Sequence, residues 1–402
     1  MFGNANRRRW APLWVCLVLA GTAACGAAGD WPIYRGPDRN GISKETGWHS
    51  PGAEMKVLWT AQVTTGCSSL SVADGRLYTM GNKDKTKDTV YCFDAVTGKE
   101  LWTYSYDCPR DKGLYEGGPN STPTVVGGRV YTFSRRGHVF CLDAVKGTKI
   151  WGVQLKVKVP TWGLAGSPLV LDKRVFLNAG SAGMALDKDT GKVVWDSGAG
   201  PGGYSTPVAF QAGGKTLLTM FGEQTVLAVQ ADDGKKVWEH PWKTSYHVNA
   251  GDPVVIDGGK KVFISSGYNK GCALLDVSGA TPRELWRNRN MRNHRSCSIL
   301  YKGALYGFDE SALTCLDLAT GETKWAKSGL GKATVALADG KLIVLAERGK
   351  VILAEATPEG FKELASGQAV RGSCWAVPVL ANGRIYARSK GGKLACVTFS
   401  GK

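Results

Sequence analysis

Along this chain short β-type runs alternate with glycine turns. One stretch reads Ser121-Thr122-Pro123, a β-run, then Gly128-Arg129-Val130-Tyr131; another runs from Val377-Pro378 to Gly383-Arg384-Ile385-Tyr386. The order is small residue, proline, β-run, glycine, basic residue, β-run, and it predicts a pair of short strands. A second pattern follows each pair. It reads Asp94-Ala95-Val96-Thr97-Gly98-Lys99-Glu100-Leu101-Trp102, and again Asp143-Ala144-Val145-Lys146-Gly147-Thr148-Lys149-Ile150-Trp151. It returns as Asp187, Gly191 and Trp195, as Gly234 and Trp238, and as Asp317, Gly321 and Trp325. Asp276 with Trp286 is a stretched copy, Gly360 with Leu364 a degenerate one, and Trp59 opens the series with the tryptophan alone.

These positions recur at intervals of 39 to 49 residues, the signature of stacked supersecondary units. Each unit reads as four short strands, which is one propeller blade. The glycine four residues before the tryptophan supplies the positive φ of a tight hairpin, and the aspartate caps the same turn. The tryptophan falls on the outer strand, where a flat ring wedges between adjacent blades. Seven complete units and an incomplete last one predict an all-β, eight-bladed propeller of four-stranded blades. The missing outer strand is expected from Met55-Lys56-Val57-Leu58-Trp59-Thr60, so that the N-terminal strand closes the ring and removes its exposed edges. The repeated Asp, Gly and Trp residues are thereby structural.

The turn resembles the tryptophan-docking repeat of the quinoprotein, or PQQ-like, eight-bladed propellers, from about Trp59 to the end of the chain. The segment Asp30-Trp31-Pro32-Ile33-Tyr34-Arg35-Gly36-Pro37 is similar to the opening segment of exported bacterial PQQ-like repeat proteins. The resemblance implies one of two functional kinds: a PQQ-dependent alcohol dehydrogenase, or a non-enzymatic BamB-like scaffold of outer-membrane assembly. The repeat specifies the fold and is nearly silent on function. Dehydrogenases of this kind stack PQQ between a tryptophan and a ring of two adjacent cysteines, and ligate Ca²⁺ through Glu, Asn and Asp. This chain has no Cys-Cys pair and lean units without large insertions, which counts against PQQ and Ca²⁺ chemistry without removing that alternative.

Composition changes the picture in two places. Hydrophobic residues at 43% and charged residues at 21% exclude disorder and a polytopic membrane protein, and 53 glycines with 14 tryptophans suit many turns between short strands. A net charge of +17 favours anionic partners such as a polysaccharide, although the lysines are scattered through turns as on a solvated surface. No nucleic-acid partner is expected, and a monomer is. The N-terminus carries its own signal. Arg7-Arg8-Arg9 precedes an uncharged run from Trp10 to Gly29 that ends in small residues, so residues 1–28 read as a secretory signal peptide and the protein as exported. Residues 29–54 then form an N-terminal extension and residues 55–402 the propeller. Cys25, after Ala23-Ala24, is a lipidation candidate and the one expected route to a membrane, with Thr22 where such signals carry a large aliphatic residue.

Signatures of other chemistry are missing. Five histidines lack zinc spacing, Gly214-Lys215-Thr216 lacks the glycine that a P-loop needs at Ala209, and Asp84 with Asp88 lacks Ca²⁺-loop spacing. Cys92, Cys141, Cys315 and Cys396 occupy equivalent repeat positions and read as small buried apolar residues. Cys67 and Cys374, in blades adjacent after closure, are the pair placed for a disulfide. Segments joining an outer strand to the next inner strand converge on one mouth of the central channel. There they carry residues that break the repeat: Glu116 and Asn120, Trp162, Tyr204, His247 and Asn249, Asn293 and His294, Arg371 and Trp375. The scaffold does not require them, so they are the candidate ligand- or partner-binding residues; the competing reading is that they satisfy connector backbones and plug the channel. No catalytic residue and no metal ligand is assigned. The expectation is a binding or assembly scaffold of the cell envelope engaging a protein partner, with a PQQ-dependent dehydrogenase as the alternative.

Overall fold

The computed structural model describes Met1, residues 29–110 and residues 117–401. The leader, with Cys25, and Glu116 lie outside the described residues. The strands form eight separate sheets in sequence order, one per blade. We number the blades by their strands: residues 71–107, 124–154, 169–196, 208–241, 254–288, 299–327, 334–368 and 379–398. Blade 8 takes its outer strand from Lys56–Gln62, which pairs antiparallel with Lys393–Thr398, placing Trp59 opposite Cys396. The ring therefore closes with a strand from each end of the propeller, as its repeat predicts. Among the described residues no helix is long and apolar enough to cross a membrane.

The tryptophans do the docking. The indole Nε1 of Trp59, Trp102, Trp151, Trp195, Trp286 and Trp325 donates to a backbone carbonyl near the next blade's turn at 2.8–3.1 Å. The ring lies flat beneath that turn: a Cβ at Gly98, Gly147, Gly191 or Gly234 would sit 2.5–2.6 Å from the neighbouring indole, so glycine serves both the positive φ and the close approach. Trp238 is buried without that bond among the described residues, facing the stretched turn of the next blade at Asp276. Cys92, Cys141, Cys315 and Cys396 sit opposite Trp102, Trp151, Trp325 and Trp59, fully buried as small apolar residues. The core is a chain of apolar clusters between neighbouring blades, the largest joining blades 7, 8 and 1 to the N-terminal extension.

That extension does more than lead into the closing strand. Trp31 bridges Val72 in blade 1, the Pro32 carbonyl accepts from Val125 N–H in blade 2, and Arg39 donates to the Val170 carbonyl in blade 3. It then adds Ile42–Ser43 as a parallel fifth strand beside Leu337 and Ala338 of blade 7. The segment from Asp30 to Ser43 thus crosses the channel and seals one end. All nine described cysteines are free, including the pair Cys67 and Cys374 expected from blade adjacency. The Cys374 thiol instead points to the Gly372 carbonyl at 3.5 Å, and burial pushes its pKa up to about 12, so it is an inert core group.

Candidate functional site

At the start of each inner strand a backbone N–H is left over by the sheet and needs a partner. The chain solves this with one residue position, the one before the proline in several units. The N–H groups of Ser69, Thr122 and Ser167 donate to Thr122 Oγ1, Ser167 Oγ and Thr206 Oγ1 of the following blade, each at 3.0 Å. The series continues with Thr206 N–H to Asp252 Oδ1 at 2.8 Å and Asp252 N–H to Cys297 Sγ at 3.2 Å, while Ser69 Oγ donates back to the Val377 carbonyl at 2.8 Å. A girdle of blade-to-blade bonds therefore surrounds the channel. In blade 5 it uses a carboxylate where blades 2 to 4 use hydroxyls and blade 6 a thiol.

Above the sealed end the channel is a dead-end cavity of about 320 Å³. Its floor is Tyr34 of the extension, whose hydroxyl lies 3.7 Å from Cys297 Sγ. Arg35, buried behind it, donates through Nη2 to the Ser298 carbonyl at 2.7 Å and to the Asn40 carbonyl at 3.0 Å, while its Nε and Nη1 find no hydrogen-bond partner among the described residues. Asp252 stands in the wall. Burial pushes its pKa up to about 6 although the Arg35 charge pulls the other way. Burial also raises the Tyr34 hydroxyl and the Cys297 thiol, so neither is an activated nucleophile.

The remaining walls are aromatic. Trp162, Tyr204, Tyr268 and Trp375 line the cavity, and Tyr204 Oη accepts from the Trp162 N–H at 3.3 Å. The Arg295 guanidinium carbon lies 3.4 Å from the Trp375 ring centroid and Lys390 Nζ lies 4.1 Å from it. Toward solvent, His294, Tyr268 and Tyr246 form a file of edge contacts with centroid spacings of 4.6 and 5.6 Å. Tyr246 and Tyr268 both hold positive φ, 62° and 54°, a strained conformation for bulky residues. Tyr246 is 72% exposed at the tip of the file.

The connector residues singled out by repeat-breaking divide into two groups. Asn120, Trp162, Tyr204, His294 and Trp375 line the cavity. The other described ones do not. Asn249 is fully buried and ties the connector together, donating to the Glu223 and Trp242 carbonyls and accepting from Ser266 Oγ. Asn293 is buried and its N–H donates to Ser265 Oγ. His247 pairs with Glu223 at 2.9 Å on the half-exposed rim. Arg371 is exposed in a separate groove between blades 7 and 8. His294 carries a pKa lowered to about 4 by burial and by the nearby Lys332 and Arg295 charges, so it is a neutral ring at physiological pH.

Sequence reasoning missed Tyr34, Asp252, Tyr268 and Arg295. Asp252 had a readable signal, since it precedes Pro253 where other units carry Ser or Thr. Tyr34 had none, because nothing in the repeat says that the extension turns inward.

The residues fit only half of a quinone–calcium centre. The aromatic faces suit a flat ring. Calcium asks for about six to eight oxygen ligands. Here Asp252 Oδ1 and the hydroxyls of Thr122, Ser167 and Thr206 already accept girdle bonds, and no group of three or more His, Cys, Asp or Glu residues with metal geometry exists among the described residues. The Ca²⁺ site of the dehydrogenases is therefore not reproduced by these donors.

Comparison with known proteins follows the same division. Quinohemoprotein alcohol dehydrogenase ADH IIB of Pseudomonas putida is 28% identical over 160 residues, which is 38% of this chain and 23% of that protein. The chain matches about a quarter of the length of such quinohemoprotein relatives. Outer membrane protein assembly factor BamB of Bordetella pertussis is 24% identical over 328 residues, 76% of this chain and 75% of that protein. Among solved structures, BamB from Moraxella catarrhalis superposes with a TM-score of 0.63 at 18% identity, covering 87% of this chain and 99% of that one. Quinohemoprotein alcohol dehydrogenase from Comamonas testosteroni gives 0.68 at 15% identity, with 93% and 81% covered. These two likenesses show the fold alone. The sequence model of the family described as outer membrane protein assembly factor BamB matches residues 86–327, more than half of the chain, and the protein belongs to that PQQ-like propeller family.

Proposed function

We propose that this protein is an exported, non-enzymatic binding and assembly scaffold of the cell envelope, acting as a monomer through the channel mouth and its rim. One observation carries the reading. The girdle groups of the channel hold blade to blade, while Tyr246, at positive φ and 72% exposed, presents an aromatic ring to solvent at the mouth, edge-on to Tyr268. The mutual three-quarter coverage with a BamB protein supports it. The partner class is an envelope protein, bound by surface complementarity at the mouth or by strand addition. The N-terminal leader would direct export, and cleavage before Cys25 would leave that cysteine to carry a lipid anchor.

The test is a purification of the tagged protein from detergent-solubilised envelopes, beside a Tyr246→Ala variant. A defined envelope protein co-eluting in fixed ratio with wild type, and depleted at least severalfold in the variant, is the expected result. Recovery of the propeller alone from both would overturn the scaffold reading.

A second reading has one observation in its favour: Asp252, with its raised pKa, sits in an aromatic cavity as a general base for a quinone dehydrogenase would. Purified protein mixed with PQQ and Ca²⁺ decides it. A stoichiometric absorbance change with a rise in melting temperature would favour the enzyme.

A further inference from the structure

We infer that the groove between blades 7 and 8 is a binding site for a stretch of acidic polysaccharide, a chain that carries carboxylates and hydroxyls together. The groove lies on a different seam from Tyr246, so this goes beyond the scaffold reading and does not depend on it.

The groove grows out of a repeated device that two neighbouring blades share. Three residues after Trp59 and Trp151 the outer strand ends in a glutamine, Gln62 and Gln154, and Gln368 ends the outer strand of blade 7. Each amide spends its N–H groups on the backbone. Gln62 Nε2 donates to the Val63 and Gly391 carbonyls at 2.6 and 3.1 Å, and Gln368 Nε2 donates to the Arg348 carbonyl at 2.8 Å and to that of Val370. Gln154 does the same at Arg136 and Leu155, so the N–H half of the amide serves the scaffold. The oxygen half does not. An amide oxygen has two acceptor positions, and neither Gln62 Oε1 nor Gln368 Oε1 accepts a bond among the described residues. In blade 2 the glutamine stands alone, because Ser105 and Gly198 hold the corresponding places in blades 1 and 3. Blades 7 and 8 bring two of them into the lining of one groove of about 700 Å³.

Arg371 and Lys393 line the same groove. Both are exposed, no Asp or Glu shares the lining, and neither cationic group has an ion pair or hydrogen bond among the described residues. A cation calls for an anion and an amide oxygen calls for a donor, so the occupant must carry both kinds of group. The remaining walls choose among polyanions. Thr60, Ala61 and Ala369 are small, and Val370 and Leu394 are buried. The lining therefore offers no aromatic ring on which a nucleobase would stack and no open apolar pocket for the anchor of an acidic peptide. A recessed seam also refuses a flat lipid surface. A glycan chain needs none of these: its hydroxyls donate to the two amide oxygens and its carboxylates meet Arg371 and Lys393. The volume falls within the ~300–1,000 Å³ of ligand sites, and the exposed walls leave room for a chain to continue past the groove at either end.

The experiment titrates the purified protein at low ionic strength with hexagalacturonate, maltohexaose and hexaglutamate, followed by calorimetry. Hexagalacturonate should saturate one site per chain, at least tenfold tighter than either of the others. Arg371→Gln and Lys393→Gln should each weaken it at least fivefold, and together bring it to the maltohexaose level, with melting temperatures unchanged because both side chains stand exposed. Should Lys393→Gln disturb the closing strand, Arg371→Gln alone carries the test. Lys158→Gln, an exposed lysine on the connector after blade 2, should leave binding as in wild type. A loss there as large as at Arg371 would reduce the effect to overall charge and overturn the site. Equal affinity for hexaglutamate would assign the groove to acidic protein segments and overturn the glycan, as would equal affinity for maltohexaose or no saturation by hexagalacturonate. Recovery of an envelope protein with the Tyr246→Ala variant is read separately, so either idea can fail alone.

Discussion

Gly234→Ala places a methyl group where the edge of Trp195 already lies. Gly234 has φ +72°, and its added Cβ would stand 2.5 Å from Trp195 Cε3. Two costs follow. The left-handed backbone costs an alanine roughly 1–2 kcal/mol, and crowding a rigid, buried indole adds about 1–3 kcal/mol. Trp195→Ala alone should cost about 3–5 kcal/mol, because the indole is buried between blades 3 and 4 and donates to the Ala231 carbonyl at 2.9 Å. In the double variant the clash has no partner and only the backbone cost remains. The two changes should therefore be less destabilising together than their sum, by about 1–3 kcal/mol. Equilibrium urea unfolding of all four proteins, followed by far-ultraviolet circular dichroism, closes the cycle. Additive costs, within about 0.5 kcal/mol, would falsify the claim that glycine is required here by the indole as well as by the backbone.

Four further expectations can be checked together. Asp252 has a folded pKa of about 6 against an ordinary 3.8, so its contribution to stability is full below the unfolded value and is lost as pH rises through 6. Asp252 should contribute a fall of up to about 3 kcal/mol between pH 4 and 6.5, and Asp252→Asn should flatten melting scans across the window by that share, leaving the part that burial of Asp88 and Glu45 adds. Deleting residues 30–60 removes both the channel floor and the outer strand of blade 8; light scattering should report aggregation from the bared edge, and a variant melting like wild type would sink the closure. Arg371→Ala should leave the melting temperature unchanged in thermal scans, since that residue is exposed outside the cavity. Cys25→Ser should change the mature mass, read by mass spectrometry, by the loss of a lipid; identical masses would refute lipidation.

The propeller was legible because its requirements repeat. A turn glycine under an indole recurs wherever Gly98, Gly147, Gly191 and Gly234 occur, and even the vacancy in blade 8 could be read from the surplus strand at Trp59. The site is less legible because it is assembled from single occurrences. Repeat-breaking found Trp162, Tyr204 and Trp375, yet the same criterion also gathered Asn249 and Asn293, whose amides answer connector backbone and hydroxyl groups. From sequence alone, a residue that breaks a repeat to bind and one that breaks it to satisfy a buried N–H are indistinguishable. Asp252 escaped notice for the opposite reason: it keeps the girdle bond that a serine or threonine makes, and only its charge differs. The inward turn of Tyr34 and Arg35 depends on the whole ring being present and has no local signature.

Blade 8 also imposes an order of events on biogenesis. Its outer strand, Lys56–Gln62, precedes every other blade strand except the short Ile42–Ser43 added to blade 7, and its partner, Lys393–Thr398, follows them all. Joining them closes a loop of several hundred residues, an entropic cost of about 5 kcal/mol by the (3/2)RT ln n relation, repaid only when the pairing and the Trp59 docking form. Blades 1 to 6 can dock successively as they emerge, but Val57, Leu58 and Trp59 must wait unpaired until the last strand arrives. A nascent chain halted anywhere before that strand keeps Lys56–Gln62 as an unpaired strand. Arrival of Lys393–Thr398 and pairing of Lys56–Gln62 are thus one event, so the ring closes in a single late step.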